Sequence, residues 1–484
     1  MNVETIKFKH LRIIAKIKNH FLSQMIMEYF KELYIAAKEA NSQFKLQFFQ
    51  FLPFLLASLI TGAVAFGYYK AFRYAEELSF SIYEQNRLYI FLITPISFLL
   101  SWWLVKRYAP YSRGSGIPQV MGAIEVSGRK KNYIIKNFVS LRIIIVKILS
   151  SIIKVFGGGV LGREGPTIQI SSSIFVVIHK MLPSWWPHVS QKNILIAGAA
   201  SGLAAAFNTP LGGIIFAIEE LSKFHVKHYQ FSLFIGVIIA GLTAQGLGGS
   251  YLYLGYPKLT SEGWSVLYAI LITALLSGYL GSKTGVIMLK IMDLFSLAKS
   301  NTAQIGVVLL SAFLVAIPIY YFGTNVMGSG KELMESLLFN DNKQLEWYIP
   351  FVRISNLITS FSFGGSGGVF APSLSSGAAI GAIVSQYFDI VGTKANLIIL
   401  VGMTSFLTGM TRAPFTSAII VFEMTDRHSV IFFLLFAAII ANMIATFVDK
   451  QSFYDRLKAK YIKDATSSKE QKVEPKVVPI ESSQ

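Results

Sequence analysis

Gly114-Ser115-Gly116-Ile117-Pro118, Gly162-Arg163-Glu164-Gly165-Pro166 and Gly367-Gly368-Val369-Phe370-Ala371-Pro372 are three glycine–proline junctions set in an apolar background. Proline suits the first turn of a helix, where its missing N–H has no intrahelical partner to lose, and glycine lets the chain bend sharply just before it. Each junction therefore predicts the start of a helix. The free N–H groups and the positive dipole end at such a start favour an anion. Within a membrane, a broken helix is tolerated only where its loose backbone is buried in protein or lines a cavity. Three such starts in one apolar chain predict a buried anion site.

The residues around the junctions predict a polytopic, all-α membrane protein. Of 484 residues, 53% are hydrophobic and 14% charged, and apolar stretches recur at 47–68, 88–105, 193–218, 230–248, 264–281, 305–322, 396–422 and 430–448. Residues 133–180 are interrupted by Lys136, Arg142, Lys147, Lys154, Arg163 and Glu164. They cannot form one simple spanning rod, so tilted and re-entrant helices are expected.

The net charge of +18 matters less for its size than for its distribution. Lys7, Lys9, Arg12, Lys16 and Lys18 oppose only Glu4, and Arg456, Lys458, Lys460 and Lys463 follow Tyr454. This bias places both termini in the cytoplasm and makes the number of crossings even. No basic domain interleaved with aromatics lies outside the apolar segments, which argues against nucleic-acid binding. No cleavable signal peptide is evident, so residues 1–46 read as a basic cytoplasmic helical segment and 47–463 as the transmembrane domain. Residues 464–484 read as a disordered cytoplasmic tail. There is no cysteine, and His225-x-x-His228 is the only histidine spacing of note. Thiolate chemistry is thereby excluded, and no metal or other cofactor is expected.

The chain also resembles itself. A shift of 204 residues superposes Gly198 on Gly402, Ser201 on Ser405, Leu203 on Leu407, Pro210 on Pro414, Ile215 on Ile419 and Glu219 on Glu423. A shift of 206 places Gly158, Gly159, Gly162 and Pro166 on Gly364, Gly365, Gly368 and Pro372. The two units span about 50–245 and 260–450. Halves of this kind are the pattern of secondary transporters, whose substrate sits between broken helices at the repeat interface. The residues alone leave parallel and inverted halves equally open. Glu219 and Glu423 each stand nine residues after their proline, which points to a shared capping role. Glu164 faces Phe370 and Glu220 faces Met424 in the same alignment. Neither of these carboxylates is explained by a common scaffold, and an ionisable group in a membrane is a functional candidate.

The three junctions and the late Tyr454, in this order and spacing, resemble the CLC family of chloride channels and chloride/proton exchangers, in its compact prokaryotic form without C-terminal regulatory domains. The resemblance covers about 50–460. It implies two inverted repeats, and a homodimer with one ion path per subunit in lipid, located in a bacterial inner membrane. It implies that the anion is held by the hydroxyls of Ser115 and Tyr454 and by the amides of Val369 and Phe370, with Gly116 and Gly165 supporting. It further makes Glu164 the external gate and proton acceptor, Glu220 the internal proton-transfer group, and Lys147 a buried supporting cation. Neutral donors suit a weakly hydrated halide, because they replace hydration without a full charge that would slow release. Ser115 is the residue associated with chloride preference. Gln119 and Met121 depart from the pattern, each standing where family members commonly or sometimes carry Glu.

The function implied is exchange of chloride for protons, with a passive, voltage- or pH-gated chloride channel of the same fold as the alternative. An intramembrane hydrolase using Glu164, Glu219 or Glu220 is a third class. It lacks paired aspartates, a His/Glu metal motif and a Ser/His pair, so no catalytic residue is assigned and the chain is not read as an enzyme.

Overall fold

A computed structural model describes residues 27–28, 31, 42–128, 132–222, 230–249, 253–259, 264–340, 343–425 and 430–473. Apart from residues 27–28 and 31, the basic segment before Ser42 lies outside the described residues, as do the pair His225 and His228 and residues 474–484. The first half contains α1 (Ser42–Gln85), α2 (Ile90–Tyr108), α3 (Ile117–Val126), α4 (Ile135–Phe138), α5 (Leu141–Phe156), α6 (Glu164–Met181), α7 (Gln191–Phe207), α8 (Pro210–Phe216) and α9 (Gln230–Gly248). The second half contains α10 (Trp264–Ser296), α11 (Asn301–Phe322), α12 (Lys331–Phe339), α13 (Ile349–Ser362), α14 (Phe370–Tyr387), α15 (Gly392–Thr411), α16 (Pro414–Thr425) and α17 (Ile431–Val448), and α18 (Phe453–Val473) ends the described chain. Among the described residues there is no β-strand.

Six of these helices are long and apolar enough to cross a bilayer, and the chain spans a membrane several times. Their lengths differ widely. At 1.5 Å per residue the 44 residues of α1 reach about 66 Å and the 33 of α10 about 50 Å. Both exceed a hydrocarbon core of about 30 Å, so they must tilt or protrude. The helices α6 and α14, which start at two of the glycine–proline junctions, and their partners α7 and α15 behave differently. Nearly every described side chain of α6, α7, α14 and α15 is buried, and these helices pack pairwise, α6 on α7 and α14 on α15, as equivalent pairs in the two halves. The outer helices α2, α10, α11 and α17 surround them with exposed side chains such as Leu92, Tyr268, Leu310 and Phe432. The interrupted helices are thus enclosed by protein, which satisfies the condition for broken backbone at membrane depth.

The repeat is visible as an exchange of caps. Both oxygens of the Glu423 carboxylate accept from the start of α8, one from Leu211 N–H at 3.0 Å and the other from Gly212 N–H at 2.6 Å. Glu219 accepts in turn from Phe415 N–H at 3.2 Å and Thr416 N–H at 2.7 Å at the start of α16. Each glutamate closes the other half's proline helix, as the nine-residue spacing suggested, and the two helices run antiparallel.

The C-terminal boundary is a correction. The expected disordered tail from 464 does not begin there, because α18 continues to Val473. Ala465 is buried, and Asp464 pairs with Arg113 at 2.7 Å, so packing and an ion pair extend the helix beyond the point where composition turns polar.

Candidate functional site

All three junctions start helices, and the backbone draws them to one place. Gly114 N–H donates to Gly365 O at 2.7 Å, and Gly367 N–H donates to Gly114 O at 3.1 Å. Gly162 and Gly368 exchange both bonds, at 2.8 and 2.6 Å. The third junction is therefore hydrogen-bonded to the first and to the second, and these backbone bonds draw the starts of α3, α6 and α14 together.

Around this contact lie the residues singled out above. Ser115 and Tyr454 are buried side by side, yet neither hydroxyl reaches hydrogen-bond geometry with any protein group. A buried hydroxyl without a partner is costly, so two together form a ready pair of donors. The Tyr454 ring lies 6.2 Å from that of Phe370, the first residue of α14. Val369 and Phe370 sit at the helix end whose first amides have no intrahelical acceptor. Gly116 caps α3 at φ 102°, a conformation that favours glycine, and a Cβ at Gly165 would collide with the Ser115 hydroxyl. Both glycines are thus required by the close approach of α3 and α6.

Glu164 opens α6, and its carboxylate lies against its own N–H and that of Ala371, between the starts of α6 and α14. Tyr253 Oη donates to Glu164 Oε1 at 3.4 Å, while Oε2 has no partner. On this side a cavity of about 80 Å³ is lined by Glu164, Arg163, Tyr69, Tyr253 and Lys331 among others. A second cavity of about 360 Å³ reaches Gly114, Gly365 and Tyr461. The two share no residue, and Ser115, Phe370 and Tyr454 line neither. Glu220 lies in a π-helical turn, Ala217–Leu221, that extends α8, and it is within electrostatic reach of Tyr454. Such turns inside a helix are frequent at functional positions.

Lys147 is fully buried, and its Nζ donates to Ser112 O at 2.7 Å and Gly114 O at 2.8 Å. It therefore clamps the first junction by its carbonyls. Gln119, the departure from the family pattern, donates to Tyr111 O at 3.2 Å and Arg113 O at 2.7 Å and fastens the same loop. Arg163 serves the structure of the second junction: it donates to Ala206 O at 3.1 Å and lies 4.2 Å over the Tyr69 ring. Lys154 donates to Gly364 O at 2.5 Å and secures the third junction, a role its position as one basic residue among several did not announce. Tyr253 is likewise unannounced by the sequence. It stands between the repeats in no motif, and nothing local in the sequence points to it.

Comparison with known proteins agrees with this geometry. The family described as voltage gated chloride channel matches residues 96–446. The H(+)/Cl(-) exchange transporter ClcA of Citrobacter koseri is 28% identical over 422 residues, covering 83% of this chain and 86% of that protein. The protein of the same name from Salmonella arizonae is 27% identical over 421 residues, with the same coverage of 83% and 86%. Among solved structures, a slow cyanobacterial Cl-/H+ antiporter superposes with a TM-score of 0.74 at 24% identity, covering 86% of this chain and 98% of its own. A CLC-type fluoride/proton antiporter gives a TM-score of 0.70 at 19% identity, again covering 86% and 98%.

Proposed function

The chain belongs to the voltage-gated chloride channel family, and on that premise we propose that it exchanges chloride for protons across the membrane. One observation carries the reading: two unpartnered buried hydroxyls, Ser115 and Tyr454, meet the starts of α3, α6 and α14, with the Glu164 carboxylate lying against the last two. Chloride sits between these hydroxyls and the amides of Val369 and Phe370, held by neutral donors and helix dipoles that together replace its hydration. The ionised Glu164 side chain competes with the anion for helix-start amides. Once protonated it loses that attraction and leaves, so that one group both opens the path and carries a proton.

Glu220 is the inner proton-transfer group, within electrostatic reach of Tyr454. Lys147 contributes indirectly, by fixing the carbonyls of the first junction so that Ser115 faces inward. The working unit is a homodimer with one path per subunit and both termini in the cytoplasm. The relatives named as H(+)/Cl(-) exchange transporters support exchange over hydrolysis and over passive conduction.

Reconstitution of the purified chain in chloride-loaded vesicles tests this. An imposed chloride gradient is expected to drive protons uphill, and Glu220→Gln is expected to stop proton movement while chloride still flows, since an amide cannot cycle a proton. Chloride current without proton flux in the unaltered protein would overturn exchange and leave the channel reading.

A further inference from the structure

The segment joining the two repeats reaches into the gate. Tyr253 is 2% exposed, and Leu254 N–H beside it donates to Met424 O of α16 at 3.2 Å, which ties this segment to the second half. Its ring stands edge-on against Phe207 at 5.3 Å, and Phe207 stacks on Phe370 at 6.2 Å with 16° between the planes. Phe370 in turn adjoins Tyr454. The Tyr253 ring is thus fixed by aromatic contacts that continue to the anion-binding hydroxyl, and its own hydroxyl is aimed at Glu164 Oε1, 3.4 Å away. Two cations also lie over the ring, Lys331 Nζ at 5.2 Å and the Arg163 guanidinium at 6.0 Å from its centroid.

We infer that Tyr253 is a positioning residue for the gate: its hydroxyl latches the Glu164 carboxylate from the side of the smaller cavity and sets how readily the gate opens on protonation. This rests on the reading of Glu164 as the gate. A phenol O–H donates strongly to an ionised carboxylate and weakly to a neutral acid, so the latch favours the charged, path-blocking state. Protonation of Glu164 weakens the latch at the same moment as it weakens the carboxylate's hold on the helix-start amides.

Other charged and titratable groups surround Glu164. Arg163 next to it on the chain, Tyr68 of α1 and Tyr454 of α18 interact with it electrostatically, and Tyr69, Arg73, Glu76 and Glu77 of α1 and Lys331, Glu332 and Glu335 of α12 line the same cavity. All of them stay in place when only the Tyr253 hydroxyl is removed, so a difference between Tyr253 and phenylalanine isolates the latch.

The test compares the unaltered chain, Tyr253→Phe, Glu164→Gln and the double variant in vesicles, recording chloride turnover against pH. Tyr253→Phe keeps the ring and its packing. With one donor to the charged form removed, the pH midpoint for chloride turnover is expected to move alkaline by about half a pH unit. In the Glu164→Gln background the same substitution is expected to change nothing. A Tyr253→Phe midpoint coinciding with that of the unaltered chain would overturn the inference. So would an equal change in both backgrounds, which is the mark of a merely structural tyrosine. If Glu164→Gln instead retains the pH profile of the unaltered chain, the gate reading itself falls, a result distinct from failure of the latch alone.

Discussion

Ser115 and Tyr454 carry the part of the site that a single substitution can probe. Both hydroxyls are buried and without a hydrogen-bonded protein partner, so an anion between them gains two bonds without breaking any within the protein. Ser115→Ala or Tyr454→Phe is therefore expected to weaken chloride binding by about 0.5–3 kcal/mol, with the helix-start amides keeping part of the affinity. Calorimetry with chloride measures this, and unchanged affinity in both variants would move the site elsewhere. Ser115→Pro removes the donor and reshapes the start of α3, and is expected to raise nitrate relative to chloride in vesicle flux. Lys147 shows how far residue-level reading reaches. Its burial was expected, but its partners were not. The two carbonyls it clamps lie 33 and 35 residues earlier, and their direction depends on a loop geometry that spacing does not encode.

At the scale of elements, the exchanged caps separate scaffold from transport. Glu219 and Glu423 each bind two amides of the opposite half's helix, and Glu219 accepts in addition from Thr416 Oγ1 at 2.7 Å, so loss of either carboxylate should cost about 1–2 kcal/mol of stability, with Glu219 the costlier to lose. Glu219→Ala and Glu423→Ala are both expected to lower the unfolding temperature in detergent, Glu219→Ala by the larger amount, while the protein that remains folded still couples chloride to protons. Loss of proton flux in Glu219→Ala without loss of stability would reverse the assignment of Glu219 and Glu220. These caps and the three helix starts were legible beforehand because their chemistry is local: a proline, a glycine and a carboxylate at fixed offsets, repeated once. The continuation of α18 to Val473 was not legible, because it depends on the buried Ala465 and on a pairing of Asp464 with Arg113 far away in the chain. The latch by Tyr253 escaped for the same reason, since its partner Glu164 lies 89 residues earlier.

At the scale of the whole molecule, the same internal symmetry bears on assembly. The helices α8 and α16 pack against each other, and each presents an apolar residue directly after its opening proline, Leu211 at 52% and Phe415 at 50% exposure. They are flanked by α9 and α17, which expose Ile238, Leu242, Phe432 and Phe436. One face thus draws equivalent apolar elements from both halves, a form suited to an isologous contact with a second copy, in which the same patch meets itself across a twofold axis. By contrast α11, which exposes Leu310, packs on α2 and α13 and makes no substantial contact with α8, α9, α16 or α17. The chain has no cysteine, so single cysteines can report the contact without background. Leu211→Cys and Phe415→Cys in vesicles are expected to cross-link into a species of twice the chain mass under a short bifunctional thiol reagent, whereas Leu310→Cys is expected to remain single. Equal cross-linking at all three positions would indicate random collision in the bilayer. A single-chain mass for all three variants would show that α8 and α16 face lipid.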